Sequence, residues 1–310
     1  MTESRRVHLD TDLGSDTDDL CALAMLLGWP DWEVAGVTTN TDPRGIRAGF
    51  VHYALELAGR QDVKVRAGAE GTLSELFVPL AFPDYWPEPI ELRPSPLGQA
   101  LELLEANAAA GATIVAVGPY TNLALLEAAR PGLLADAHLV VMGGHVPTPS
   151  SDFPQWGIHD DFNVQQDRVA ASIVMERCHP VVVPLAATMQ TFLRGAHLPR
   201  LRAAGRLGNL LADQAEAHAR DNRNEVIGRA YPALPDDLLN FQHDPLACAV
   251  ALGWDGVKVE DIGTKVELRD QRLRMTPEPE EPTLRVVTDV DGPRFEETWL
   301  QAIERATSPL

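Results

Sequence analysis

The sequence predicts an α/β fold: a doubly wound, mostly parallel sheet flanked by helices, forming a single domain over residues 1–310. Three observations carry that prediction. Short β-branched runs alternate with longer amphipathic stretches, as repeated strand and helix units require. The short runs are continuously apolar, as strands covered by helices on both faces must be. The 45% hydrophobic content of 310 residues is ample for one core, and no internal repeat, low-complexity tract or linker divides it.

Taken in order, "RRVHLD" (5–10) reads as the first strand and "WEVAGVTT" (32–39) as the second. Between them "DDLCALAMLLG" (18–28) places apolar residues at i, i+3 and i+4 and reads as a helix. The helical spacing returns in "RGIRAGFVHYALELAG" (44–59), and "VKVRAG" (63–68) follows as a strand. Residues 69–95, which include the proline-rich and aromatic "FVPLAFPDYWPEP", read as a long loop. Then come a helix "LGQALELLEANAAAG" (97–111), a strand "ATIVAVG" (112–118), a helix "TNLALLEAARPGLL" (121–134) and a strand "AHLVVMGG" (137–144). A second loop, "VPTPSSDFPQWGIHDDF" (146–162), precedes the helix "DRVAASIVMERC" (167–178) and the strand "HPVVVPL" (179–185). The last hundred residues hold helical stretches at 205–220 and 245–252, strand-like "VKVEDI" and "LRVVTDV", and a terminal helix from about 292.

Composition limits the function. A formal charge of −19 repels phosphate backbones and anionic lipids, so the expected partner is a small neutral substrate or a cation, with no nucleic acid and no membrane. No apolar run approaches the roughly 20 residues of a membrane helix, and the first residues lead into a strand without a signal-peptide core, so the expected location is cytoplasmic. Cys21, Cys178 and Cys248 sit in apolar segments and read as small buried hydrophobes, not as a disulfide framework or a zinc site.

One stretch stands apart. In "HLDTDLGSDTDDLCALAMLL" (8–27), Asp10, Asp12, Asp16, Asp18 and Asp19 fall at the end of the first strand, where ligands bind in doubly wound sheets. Carboxylates that close raise each other's pKa unless something positive compensates. A hard cation is the simplest remedy, since calcium takes six to eight oxygens, and Gly14 permits the turn that brings Asp12 and Asp19 together. The plainer alternative is a solvated acidic loop capping the helix at Asp18. It accounts poorly for Asp10 and Asp12, which end a buried strand. An EF-hand starting at Asp10 fails, because Ser15 and Cys21 stand where Gly and Glu are needed. A haloacid-dehalogenase-type phosphatase would use "DTD" with the first Asp as nucleophile. It expects Thr or Val where Gly14 stands and gives no reason for the following "TDD".

The stretch "DTDLGSDTDDLCA" resembles the DxDxGxDDxxA signature of the inosine-uridine-preferring nucleoside hydrolases, with two extra residues before the Asp pair. Four further segments resemble that family in the same order: "AVGPYTNLA" (116–124), "VVMGGH" (140–145), "DFN" (161–163) and "HDP" (243–245). The resemblance implies a nucleoside hydrolase-like fold and hydrolysis of the N-glycosidic bond of a ribonucleoside to ribose and free base. It implies that Asp12, Asp19 and Asp244 bind Ca²⁺ through carboxylates and Val117 through its carbonyl, the metal also holding a water and two ribose hydroxyls. Asp18 matches the ribose-binding Asp, although the inserted pair leaves Asp16 as an alternative. Asn163, with Asp161 in place of the more usual Glu, would hold the rest of the sugar, and Asp10 would support the metal loop. Asp12 would be the general base and His243 the proton donor to the leaving base. The family commonly forms dimers or tetramers, so a homodimer or homotetramer is expected.

These residue types suit the reaction. The bond breaks through an oxocarbenium-like ribosyl cation, so the site must stabilise positive charge at the anomeric carbon, supply water and help the base leave. Carboxylates serve the first need, and a cation that orients water and lowers its pKa serves the second. Met142 is expected at the pocket floor, whereas His145, His159, His179 and His218 read as packed or solvated. The base-binding half departs from the family: "TTNTDPRGIRAG" lacks the usual Gly-Asn pair, so Asn40, Asp42 or Arg44 must do another job. A histidine-and-glycine loop is likewise replaced by residues 69–95. Trp86 and Trp156, in the two long loops, are candidates to stack on the nucleobase. Two alternatives remain at this stage, a noncatalytic calcium-dependent ribose-binding protein and the phosphatase.

Overall fold

A computed structural model describes residues 5–87, 89–146 and 150–306. The first half alternates strand and helix: β1 (Arg5–Thr11), α1 (Asp18–Leu27), β2 (Trp32–Thr39), α2 (Ile46–Leu57), β3 (Val65–Ala67), α3 (Leu97–Ala109), β4 (Thr113–Ala116), α4 (Thr121–Ala129) and β5 (Leu139–Met142). Then follow α5 (Phe162–Gln166), α6 (Arg168–Arg177), β6 (Val181–Val183), α7 (Leu185–Thr188), β7 (Phe192–Arg194), α8 (Leu198–Ala203), α9 (Gly205–Asn222) and α10 (Asn224–Ala230). The chain closes with β8 (Leu238–Phe241), α11 (His243–Ala251), β9 (Val257–Arg269), β10 (Arg272–Pro277), β11 (Thr283–Val290) and α12 (Gly292–Ala306).

Nine strands form one sheet in the order β10-β9-β11-β6-β5-β4-β1-β2-β3. The run from β3 to β6 and on to β11 is parallel, while β9 and β10 add an antiparallel edge. The chain winds outward from β1 to β3, returns to the middle, and winds the other way from β4. The order therefore reverses between β1 and β4, and a crevice opens beyond the carboxyl ends of those strands. Side chains alternate across the sheet. Val115 and Val140 pack into the core shared with α1, α11 and α12, whereas Ile114 and Val141 pack into the one shared with α4 and α6.

The predicted elements are present, several of them shorter than expected, for local reasons. The helix expected over 121–134 ends at Ala129, because Pro131 cannot continue it. The second helix starts at Ile46, after a 3₁₀ turn in which Arg44 and Gly45 take positive φ. The helix placed at 245–252 begins at His243 with Gln242 as N-cap, so Asp244 lies inside the first turn and does not cap it. The hairpin of β9 and β10, which the sequence reading left out, turns at Asp270 and Gln271. Both adopt positive φ, as a two-residue hairpin turn demands. The loop 69–95 carries no helix or strand among its described residues, and residues 88 and 147–149 of the two loops lie outside those described. Among the described residues no helix is long and apolar enough to cross a membrane.

Candidate active site

The crevice at the sheet's switch point holds a cavity of about 310 Å³. β1 delivers the acidic loop to its floor, because the strand ends at Thr11 between the ends of β2 and β4. Gly14 makes the following turn with φ of 131°, and a Cβ there would lie 2.4 Å from the ring of Phe50, so geometry and space both demand glycine. Helix α1 then begins at Asp18 and carries Asp18 and Asp19 in its first turn, while α11 brings Asp244 from the far end of the chain.

Oxygens of Asp18, Asp19 and Asp244 lie within 4.8 Å of one another, and all three residues are buried. Burial first, and then repulsion from neighbouring carboxylates (Asp16 at Asp18, Asp12 at Asp19, Asp18 at Asp244), push each of these carboxyls well above the usual carboxylate range. Three buried acids at this spacing suit a cation, since hard oxygens are what such ions prefer. Asp12 lines the same cavity but stands outside the trio. Burial raises its pKa too, opposed by Arg47, whose guanidinium is 3.6 Å away.

Asp10 lies behind the cavity and does not line it. Its carboxylate accepts hydrogen bonds from Thr38 (2.5 Å), Asn40 (2.7 Å) and Asn122 (2.7 Å), which ties the ends of β1 and β2 to α4. Burial raises it to about 6 despite these donors. Asn40 is thereby turned to Asp10 in the interior and stays off the cavity wall. The other candidates of that segment differ: Asp42 accepts from the amides of Arg47 (2.7 Å) and Ala48 (3.0 Å) and so caps α2, while Arg44 is exposed.

On the opposite wall, the Asn163 side-chain amide donates to the carbonyls of Val117 (2.6 Å) and Met142 (3.1 Å). The Val117 carbonyl keeps a second lone pair. Asp161 caps α5, accepting from the amides of Gly144 (2.7 Å) and Val164 (3.3 Å), and burial lifts it to about 6. Both of its oxygens are thus engaged by backbone.

The inserted pair, Asp16 and Thr17, is tied to β8. The Asn240 side chain donates to Asp16 at 2.6 Å and to the Thr17 hydroxyl at 3.1 Å. His218 of α9 stands 3.6 Å from Asp16. Burial pushes Asp16 up, but His218, His243 and the donors from Asn240 and Thr17 outweigh it and hold it below the ordinary value. Asp16 is therefore held by α9 and β8, while its Oδ1 also lies 3.4 Å from the Asp18 amide nitrogen.

His243 stacks on Phe241 with ring centres 5.5 Å apart, with Trp156 at 6.1 Å, and its Nδ1 lies 2.6 Å from the Thr188 hydroxyl. Burial lowers its pKa to about 4, so the imidazole is neutral near pH 7. Trp156 backs this histidine and packs edge-on against Phe241 at 5.0 Å. Trp86 does not reach the cavity: it is buried and stacked on Phe50 at 4.3 Å, an anchor for its loop.

The structure thus gathers Asp12, Asp16, Asp18, Asp19, Val117, Met142, Asp161, Asn163, His243 and Asp244 around one cavity, and leaves Asp10, Asn40, Trp86 and Trp156 off its lining. Ser15, Asp160, Phe162 and Leu185 also line it and were missed. The first three adjoin quoted motifs, whereas nothing in the sequence marks Leu185. The loop 69–95 is fastened beside the cavity. Asp167 accepts from the amides of Leu73 (2.8 Å) and Ser74 (3.1 Å), Gln166 bonds the amide and carbonyl of Val78, and Ser15 donates to the carbonyl of Ala81 (3.0 Å).

A doubly wound sheet whose switch point holds buried carboxylates, two carbonyls ordered by one side-chain amide and a neutral histidine defines an α/β enzyme for a small polar substrate. Comparison with known proteins is more specific. The family model described as "Inosine-uridine preferring nucleoside hydrolase" matches residues 7–297, and the chain belongs to that family. It is 30% identical over 263 residues to the pyrimidine-specific ribonucleoside hydrolase RihA of Salmonella agona, a match covering 79% of this chain and 78% of the relative. Among solved structures, a plant nucleoside hydrolase superposes with a TM-score of 0.76 at 21% identity, covering 99% of this chain and 100% of that one. A purine-preferring ribonucleoside hydrolase from Gardnerella vaginalis gives 0.75 at 23% identity, covering 98% and 99%. The protein is accordingly an N-glycosidase of ribonucleosides, and the phosphatase and noncatalytic readings are set aside.

Proposed function

We propose that this enzyme hydrolyses its ribonucleoside in a Ca²⁺-dependent reaction, with water directed by Asp12 attacking the anomeric carbon and the base leaving toward His243. The single observation that carries the proposal is the buried trio Asp18, Asp19 and Asp244 with Asp12 beside it on one cavity wall. The donor set fits a hard cation: carboxylates that burial and neighbouring charge push well above the ordinary range are relieved by a divalent charge. Asp12, Asp19 and Asp244, with the Val117 carbonyl, would hold it. When bound, calcium supplies charge neutralisation and a lowered water pKa.

The remaining work falls to the chain. Asp12 accepts the proton of the attacking water as the bond to ribose breaks. Asp18, whose Oδ2 lies 3.4 Å from the amide nitrogen of Asp244, takes the ribose role, because Asp16 is committed to Asn240 and leans toward His218. Asn163 orients toward the sugar from the opposite wall, and Met142 closes the floor. Carboxylates around the ring stabilise the ribosyl cation. At His243, the 2.6 Å contact with Thr188 is shorter than the 3.2 Å between the same hydroxyl and the Leu185 carbonyl. The hydroxyl donates to that carbonyl, so its oxygen is left to meet Nδ1, and Thr188 fixes the orientation of the imidazole toward the departing base. Trp156 and Phe241 hold that ring in place.

The test is release of free ribose from inosine, adenosine, guanosine, uridine, cytidine and nicotinamide riboside, with Ca²⁺, with chelator, and with Asp12→Ala. Release that disappears with chelator and in the variant supports the proposal. Release that survives the chelator overturns the calcium requirement.

A further inference from the structure

One buried cation takes no part in the steps above. Arg47, the second residue of α2, is 1% exposed, and its Nη2 lies 3.6 Å from Oδ2 of Asp12. Its Nε donates to the Thr41 carbonyl at 2.9 Å, and Nη1 lies 3.4 Å from both the Leu13 carbonyl and the Ser15 hydroxyl. The ring of Phe82, from the rebuilt loop, covers the guanidinium at 5.0 Å. A guanidinium out of water must be held by acceptors on every side, and this one is held by the acidic loop itself. The other oxygen of Asp12 occupies the space that Gly118 leaves, where a Cβ would come within 2.6 Å of Oδ1. The carboxylate thus has the guanidinium beside one oxygen and room at the other only because residue 118 is glycine. It is also the one carboxylate of the proposed metal set that stands outside the tight trio.

Resting on the reading of Asp12 as the general base, we propose that Arg47 is a positioning residue, holding the Asp12 carboxylate at the cavity wall in the orientation that leaves one of its oxygens to take the proton of the attacking water. Without the guanidinium, Asp12 would be free to turn both oxygens toward the cation it helps to hold, and water would lose its acceptor. An arginine suits the task where a lysine does not. Its planar fork bonds the Thr41 and Leu13 carbonyls and faces Asp12 with its third nitrogen, whereas an ammonium is a single point of charge on a flexible stem. Phe82 keeps water from the pair and so strengthens it.

The test uses the full chain as Arg47→Met, Arg47→Lys and Asp12→Asn. For each, kcat and KM are measured on the nucleoside that the wild type cleaves fastest, Ca²⁺ affinity by calorimetric titration, and folding by thermal unfolding. Arg47→Met is expected to lose about 100-fold in kcat, with KM and Ca²⁺ affinity each within about threefold of wild type. Arg47→Lys, which restores the charge without the fork, is expected to recover part of that loss, remaining about tenfold below wild type in kcat. Folded Arg47→Met with wild-type kcat overturns the proposal, as does a kcat that saturating Ca²⁺ restores, since Arg47 would then serve the cation and not the orientation of Asp12. Should Arg47→Met fail to fold, Arg47→Lys decides: a lowered kcat at unchanged KM supports the role, and an unchanged kcat overturns it. Activity in Asp12→Asn would sink the general-base reading itself, whereas an inactive Asp12→Asn beside an active Arg47→Met sinks this inference alone.

Discussion

Replacing Asp244 with asparagine should stabilise the metal-free protein and abolish its response to calcium. The oxygens of Asp18, Asp19 and Asp244 lie within 4.8 Å of one another, and two full charges at that limit repel by about 3.5 kcal/mol at an effective dielectric of 20. All three carboxyls are raised above the ordinary value by burial first and then by neighbouring aspartates. A group raised in the folded state favours folding at low pH, and that contribution disappears as pH climbs from the unfolded value, near 4, through the raised native one. Metal-free wild type should therefore lose stability between pH 5 and pH 8. Calcium at a thousand times its Kd adds about 4 kcal/mol. With unfolding entropy of about 2.1 cal/mol/K per residue over 310 residues, that raises Tm by about 6 °C at pH 8. In Asp244→Asn two of the three repulsions vanish. The chelated variant should melt up to about 5 °C above chelated wild type at pH 8, for each pair of charges relieved, with a flatter pH profile and no calcium shift. Calorimetry with chelator and with calcium at pH 5 and pH 8 reads all of this. A chelated wild type equally stable at both pH values, beside an Asp244→Asn that melts lower throughout, would refute the electrostatic account.

Asp12→Asn should fold and lower kcat by about 10³-fold, as loss of a general base does; steady-state ribose release measures it. His243→Gln, which keeps an N–H donor without an imidazole, should retain more activity than His243→Ala, with the gap widest for bases that must gain a proton to leave. Because His243 is already neutral above about pH 4, neither variant should move the alkaline side of the pH–rate profile. The two tryptophans should separate cleanly: Trp86→Ala costs about 3–5 kcal/mol in denaturant unfolding with KM unchanged when folded, since its ring stacks on Phe50 away from the cavity. Trp156→Ala, which removes the support of His243, should lower kcat at little cost in stability.

The sheet was legible because parallel strands buried on both faces leave continuous apolar runs, and the acidic cluster because five aspartates at the end of such a strand have no bland explanation. What escaped was set by contacts from distant parts of the chain. Nothing near Trp86 signals that Phe50 will lie under it, and nothing near Asn40 signals that Asp10, thirty residues earlier, will claim its amide. Asn240, which lies more than 220 residues from Asp16, binds that carboxylate from β8, a contact that no local pattern announces. Asp161 lines the cavity as its place in "DFN" suggests, but its second task, capping α5 and accepting from the amide of Gly144, is not marked there. Arg47 carries no motif at all. Its significance appears only when the end of β1, the start of α2 and the loop 69–95 are seen against one another.

The fastening of that loop by Asp167 and Gln166 has a consequence for how substrate is received. The backbone amides of residues 73, 74 and 78 are tied to a helix junction that exists before any nucleoside arrives. The ordering entropy of this wall is thus spent during folding, and binding energy is not drawn down to arrange it. The loop is thus a preformed surface beside the cavity, held again further along by Ser15 at Ala81 and by Trp86 on Phe50.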